Sequence, residues 1–201
     1  MEETALTTAT LFSCQRNEGP FLIEWVAYHR LIGFKRIVIY SNDCTDGSDK
    51  ILDRLQELGL VQHMRHSPPP GSHIQTEAMD TALKTGLLHA GEWLLWLDVD
   101  EFLNIHVGGG HLGDLMPRLS AVQGIRFNWR CFGDDGGTPW NGFQIDPAYC
   151  RGHRRYSKIN RHVKTLYRFD PDNMYPYAHG PVLSEAYVAA KPAWLNGSGR
   201  A

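Results

Sequence analysis

Apolar positions recur along the first hundred residues in two alternating rhythms. Thr8 to Ser13 is a short run bearing Thr, Leu and Phe and reads as a strand, broken by Asn17-Glu18-Gly19-Pro20. From Phe21 the spacing changes to three and four (Phe21, Trp25, Tyr28, Ile32) and predicts a helix, with Glu24 and Arg30 toward water and Gly33 as its stop. Arg36 to Tyr40 is nearly continuous in apolar, β-branched residues, as expected of a strand buried on both faces. A polar loop, Ser41 to Ser48, leads into a helix striped by Ile51, Leu52, Leu55 and Leu58 and ended by Gly59. Leu60 to Met64 predicts a third strand, Pro68 to Gly71 a loop, and Thr76 to His89 a helix built on Ala78, Met79, Ala82, Leu83 and Leu87. Trp93 to Leu97 is a fourth, very apolar strand that runs directly into Asp98-Val99-Asp100-Glu101.

Strands alternating with helices imply a parallel sheet with helices on both faces. Ligands of such sheets bind outside the carboxyl ends of the strands. Three polar clusters fall at those ends: Asn17-Glu18, Ser41-Asn42-Asp43 and Asp98 to Glu101. Beyond Phe102 the rhythm is looser. Gly108-Gly109-Gly110 is a flexible connection, His111 to Leu119 a short helix, Gly124 to Trp129 a strand, Phe132 to Phe143 a Gly- and Asp-rich active-site loop, and Thr165 to Phe169 another strand.

Composition narrows the function classes. Of 201 residues, 42% are hydrophobic and 21% charged, which is globular rather than disordered composition. Twenty Lys and Arg against 22 Asp and Glu leave a formal charge of −2, so there is no bulk electrostatic case for a nucleic-acid partner. Cys14, Cys44, Cys131 and Cys150 are widely spaced without a C-x-x-C pair, so neither a zinc site nor a disulfide framework is signalled. The start of the sequence lacks the basic and apolar regions of a secretory signal, and no apolar run approaches the ~20 residues of a membrane helix. A cytoplasmic protein without a transmembrane segment is the expectation.

Asp98-Val99-Asp100 is the sharpest chemical feature. Two carboxylates two residues apart on a strand end can reach one divalent cation and the phosphate oxygens bound to it. Alone, such a doublet is better explained by a solvated turn; its place after a buried fourth strand gives it weight. Together with Asn17-Glu18, Glu24-Trp25, Tyr28-His29, Leu31-Ile32-Gly33 and the 41–48 loop, Asp98-Val99-Asp100-Glu101-Phe102 resembles the family 2-like glycosyltransferases of the GT-A fold. The resemblance is closest over residues 8–105 and looser over 120–183.

That resemblance implies an α/β, Rossmann-type GT-A sandwich with a mostly parallel central sheet and helices on both faces. It implies one domain over residues 1–183, with a nucleotide-binding half (8–105) and an acceptor and metal half (106–183), followed by a flexible or truncated tail (184–201). It further implies transfer of a sugar, with inversion, from a nucleotide-diphosphate sugar to a carbohydrate or other hydroxyl acceptor, as in polysaccharide biosynthesis. Carried over by position, Asn17, Glu18, Asn42 and Asp98 would bind nucleotide. Asp98, Asp100 and the late His179 would hold Mn²⁺ or Mg²⁺. The common family 2 form has an acidic residue where this chain has Asn42, and Asp46 reads first as a helix cap.

The other roles rest on chemistry. Arg151, Arg154, Arg155, Lys158, Arg161 and Lys164 form a basic segment that could neutralise a leaving diphosphate, and the resemblance, which extends around Lys158, implies Lys158 as the leading candidate. Inversion needs a carboxylate base, for which Asp134, Asp135 and Glu101 are candidates. Trp129, Trp140 and Phe143 could stack on a sugar, whereas Trp25, Trp93 and Trp96 are assigned to packing. His63, His66 and His73 flank a proline loop and are taken as surface residues. Two rivals remain: a nucleotidyltransferase, disfavoured by the Gly-poor loop Gln15 to Gly19, and a non-catalytic nucleotide- or sugar-binding module.

Overall fold

The computed structural model describes residues 9–133, 142–145, 152, 154 and 157–200. The first half is the expected alternation: β1 (Ala9–Gln15), α1 (Gly19–Leu31), β2 (Arg36–Asn42), α2 (Ser48–Glu57), β3 (Gln62–His66), α3 (Ile74–Lys84) and β4 (Trp93–Trp96). A short helix, α4 (Leu112–Leu115), continues as a 3-10 turn over Met116–Leu119. Then come β5 (Gly124–Asn128), β6 (Val163–Arg168), the hairpin β7 (Met174–Tyr175) and β8 (Val182–Leu183), α5 (Glu185–Ala189) and β9 (Trp194–Asn196).

Seven strands form one sheet in the order β3-β2-β1-β4-β6-β5-β9, and β6 runs antiparallel to both of its neighbours while the other pairs are parallel. Side chains alternate across it with period two. Leu11, Ile37, Ile39, Trp93 and Leu95 point to the face covered by α1, α2 and α4. Phe12, Val38, Tyr40, Leu94 and Trp96 point to the face that packs Ala78, Met79 and Ala82 of α3. The expected α/β sandwich with helices on both faces is therefore the fold observed. Among the described residues, no helix is long and apolar enough to cross a membrane.

Two expectations change. Helix α3 ends at Lys84 rather than His89, because Gly86 takes a left-handed conformation (φ +66°) and the Leu87 N–H donates back to the Ala82 carbonyl, closing the helix. The segment after 183, expected as a flexible tail, carries α5 and β9. Strand β9 is held because Leu195 packs against the core on one face, Trp194 packs on the other, and its backbone pairs with β5.

That edge depends on Gly124. A Cβ there would lie 2.5 Å from the Trp194 ring and 2.7 Å from the Leu166 carbonyl oxygen. Because the backbone atom cannot give way, Gly124→Ala is expected to cost about 1–3 kcal/mol. It should also release β9, visible as faster amide exchange at residues 194–196 and a lower urea midpoint.

Candidate active site

The acidic turn sits at the carboxyl end of β4 and is braced from below. The Asp98 N–H donates to Glu101 Oε2 (2.9 Å), and the Glu101 N–H closes the turn on the Asp98 carbonyl (3.1 Å). Helix α1 grips the segment that follows. Trp25 Nε1–H donates to the Glu101 carbonyl (2.9 Å), and Tyr28 OH donates to the Leu103 carbonyl (3.0 Å). His29 is fully buried between them. Its Nδ1 lies 2.9 Å from the Trp25 carbonyl, which can only accept, so Nδ1 carries the proton; Nε2 then accepts the Leu103 N–H (3.4 Å). The bond to Nε2 requires a neutral ring, and burial lowers the His29 pKa to about 4. Trp25, assigned to packing from sequence, thus also helps to hold the turn.

From β6, the ammonium of Lys164 bridges Asp98 Oδ2 and Glu101 Oε2, each at 2.9 Å. Lys164 is 3% exposed, whereas the Asp98 and Glu101 side chains are 39% and 15% exposed. Burial is the main reason the Glu101 carboxyl is pushed up, and Lys164 opposes it. Glu101, a candidate base, is here the brace of the turn rather than a group presented to an acceptor. Asp100 is exposed and, among the described residues, has no ion-pair partner.

The other polar clusters converge on the same rim. Glu18 lies close enough to Asp100, Asp46 and Asp98 for their charges to raise its pKa, after burial as the largest cause. Asn17, with φ +57°, stitches the loop after β1 to the loop after β2: its Oδ1 accepts the Thr45 N–H (2.8 Å) and its Nδ2 donates to Thr45 Oγ1 (3.1 Å). Asp46 serves both helices, accepting the Ser48 N–H of α2 (2.9 Å) and the Gly19 N–H of α1 (3.1 Å). Those bonds, led by the one from the Ser48 hydroxyl, hold its pKa down. The capping role is the one observed.

Around these loops lie buried polar atoms without a hydrogen-bond partner among the described residues: Asn42 Nδ2, both amide atoms of Gln15, Ser13 Oγ, Tyr40 OH and His66 Nδ1. They divide between the two faces of the sheet, Ser13 and Gln15 on the side of α1 and α2 and Tyr40, Asn42 and His66 on the side of α3; native proteins leave few such groups, and a ligand or water completes their bonding. Asn42 is only 2% exposed and Gln15 5%. Gln15 and Tyr40 carried no motif and were not singled out from sequence.

His63 is buried rather than superficial: Ser41 Oγ donates to its Nε2 (2.7 Å) and its Nδ1–H donates to Asp53 (2.8 Å). This chain looks like a nucleophile relay, but it lies beneath α2 with Ser41 4% exposed, and so it pins β2, β3 and α2 together. His179 is exposed, and its Nδ1–H donates to the Val163 carbonyl (3.1 Å), so in the neutral ring Nε2 is the nitrogen that carries the lone pair. Its ring forms a triangle with Trp129 (5.6 Å) and His162 (6.1 Å).

Lys158 is exposed on a 3-10 turn, Lys158–Arg161, that is anchored by Asn160 through Asn128, Cys131 and Arg154. Glu24, expected to face water, instead accepts the backbone N–H groups of Gln144 (2.6 Å) and Ile145 (2.9 Å) and ties these two residues to α1. Asp134, Asp135 and Trp140 lie outside the described residues.

Among the described residues, no three His, Cys, Asp or Glu side chains are gathered as a cation cage, so Asp98, Asp100 and His179 do not form one. Magnesium-type sites commonly use one or two carboxylates plus the phosphates of the substrate. The exposed Asp100 suits that arrangement.

Residues 14–168 match the model of glycosyltransferase family 92. A glycosyltransferase family 92 protein of Ricinus communis is 36% identical over 126 residues, covering 60% of this chain and 22% of that one. Another, from Oryza sativa subsp. japonica, is 28% identical over 132 residues, covering 61% and 21%. The chain thus spans about a fifth of the length of these curated relatives. Among solved structures, S. aureus TarS is similar with a TM-score of 0.43 and 14% identity, over 66% of this chain and 23% of that one. Glucosyl-3-phosphoglycerate synthase from Mycobacterium tuberculosis, solved in complex with uridine-diphosphate, has a TM-score of 0.37 and 14% identity over 62% and 45%. The family model is that of family 92, and the family 2-like assignment suggested by the motifs is corrected accordingly: the chain belongs to glycosyltransferase family 92.

Proposed function

We propose that this chain transfers a sugar from a nucleoside-diphosphate sugar to an acceptor hydroxyl, by direct displacement with inversion, in the presence of Mn²⁺ or Mg²⁺. The observation that supports it best is the convergence of Glu18, Asp46, Asp98 and Asp100 on one rim, with the buried polar atoms of Gln15 and Asn42 left without partners among the described residues at the ends of β1 and β2. In this reading Asn42 and Glu18 contact the nucleoside. Asn17 acts indirectly, by fixing the two loops that line it. Asp98, already neutralised by Lys164, accepts a hydrogen bond from the donor, and Asp100 faces the diphosphate. A divalent cation, when bound, would neutralise charge on the departing diphosphate. Lys158 and Nε2 of His179 lie on the half of the chain that would receive the acceptor and support the leaving group. Asp134 or Asp135 takes the acceptor proton.

The test is turnover. The chain is incubated with UDP- and GDP-sugars, Mn²⁺ and a panel of hydroxyl acceptors, and release of nucleoside diphosphate is followed. Anomeric proton couplings of the product report stereochemistry. Acceptor-dependent release with an inverted anomer is expected. Tight nucleotide binding without any release would instead favour the non-catalytic module.

A further inference from the structure

The two aspartates of the acidic turn are not equivalent, and the cause is on β6. Lys164 is the buried cation of the rim, and both of its carboxylate partners belong to the turn. Asp98 spends Oδ2 on that ammonium, while Asp100 is exposed and, among the described residues, forms no ion pair with it. A buried ammonium is tolerated only when compensated, so the bridge is a fixed part of the fold rather than a passing contact. A divalent cation brought to Asp98 Oδ2 would meet a positive charge already in hydrogen-bond contact with it.

We propose that Lys164 is a positioning residue that divides the work of the pair. It keeps Asp98 as a neutralised hydrogen-bonding group and leaves Asp100 as the carboxylate that meets a diphosphate-borne divalent cation. This rests on the transferase reading above but makes a separate claim, because it predicts what happens to cation binding when the internal cation is removed. Lys164→Met frees Asp98 and Glu101 as uncompensated carboxylates beside Asp100, so affinity for the cation should rise. A lysine that served only to hold the fold would give no gain.

The experiment measures free Mn²⁺ by electron paramagnetic resonance over the wild-type chain, Lys164→Met, and the charge-balanced double variant Lys164→Met/Asp98→Asn, each with and without UDP. Circular dichroism reports folding. Lys164→Met is expected to bind Mn²⁺ without nucleotide on the order of tenfold more tightly than wild type, and the double variant should return to within about threefold of wild type. A folded Lys164→Met with unchanged or weaker affinity overturns the proposal.

If Lys164→Met does not fold, the double variant, in which Glu101 alone has lost its cation, decides. Wild-type-like binding supports the division of work, and a loss of about tenfold or more makes Asp98 a ligand in its own right and overturns it. A wild type that binds no Mn²⁺ even with UDP removes the cation from the transferase reading, while a gain in Lys164→Met would still uphold the role of Lys164. No binding in any variant overturns both.

Discussion

Asp100→Asn is expected to lower sugar transfer by roughly 100-fold or more in kcat/KM while leaving the melting temperature unchanged, because removing one preorganised charge contact from a transferring group typically costs that much. The two halves of this expectation come from the same geometry. Asp100 is exposed and pairs with no cation among the described residues, so nothing in the fold leans on its charge. Asn keeps the shape and removes only the charge. Asp98→Asn should behave differently: it strips a partner from the buried Lys164 and should lower stability as well as transfer. Steady-state kinetics and thermal unfolding of both variants check the contrast. Equal losses of stability in the two would contradict the reading of Asp100 as a free carboxylate.

The second large effect is on stability and depends on pH. His29 is fully buried, and its pKa is lowered from 6.5 to about 4. Between those values the unfolded chain takes up a proton that the native chain refuses, so the native state is at full advantage above about pH 6.5 and loses ground as pH falls toward 4. The loss attributable to this one residue reaches about 2 kcal/mol by pH 5 and about 3 kcal/mol at the lower limit. His63, also lowered by burial, adds in the same direction. Carboxylates held down in the native state, such as Asp46, act at lower pH. Urea unfolding of wild type and His29→Gln from pH 7.5 to 4.5 isolates the contribution: the variant should be less stable at neutral pH and show a shallower decline. Parallel profiles would contradict it. Because His29 binds the Leu103 N–H, the same protonation loosens the segment behind the acidic turn, and activity should fall with stability on the acid side.

Much of the fold was legible because its signals are local. Ile37 to Tyr40 and Trp93 to Trp96 read as buried strands and are buried on both faces. The polar clusters at their ends were placed on one rim by the parallel topology alone, and the electrostatic reach from Glu18 to Asp98 and Asp100 bears this out. What stayed hidden depends on distant partners. Leu87 and Leu88 prolong the apolar stripe of α3, and only the left-handed Gly86 shows that the helix has stopped. Strand β9 is three residues long, and its partner β5 lies about seventy positions earlier. Lys164 stood among six basic residues with nothing local to distinguish it; its partners are 66 and 63 positions away, and antiparallel β6 brings them together. The exposed Lys158 is preferred on the resemblance around it, which carries no information about these partners. His63 looked superficial beside a proline loop, and its burial comes from α2 packing across it.

The measurement that tests the central claim most directly is calorimetric titration of UDP and GDP into the folded chain, with and without Mn²⁺, repeated on Asp100→Asn. The account predicts binding of one nucleoside diphosphate that Mn²⁺ strengthens about tenfold or more, and loss of that enhancement in the variant. Binding that ignores both the cation and the substitution, or no binding of either nucleotide to the folded chain, would contradict it.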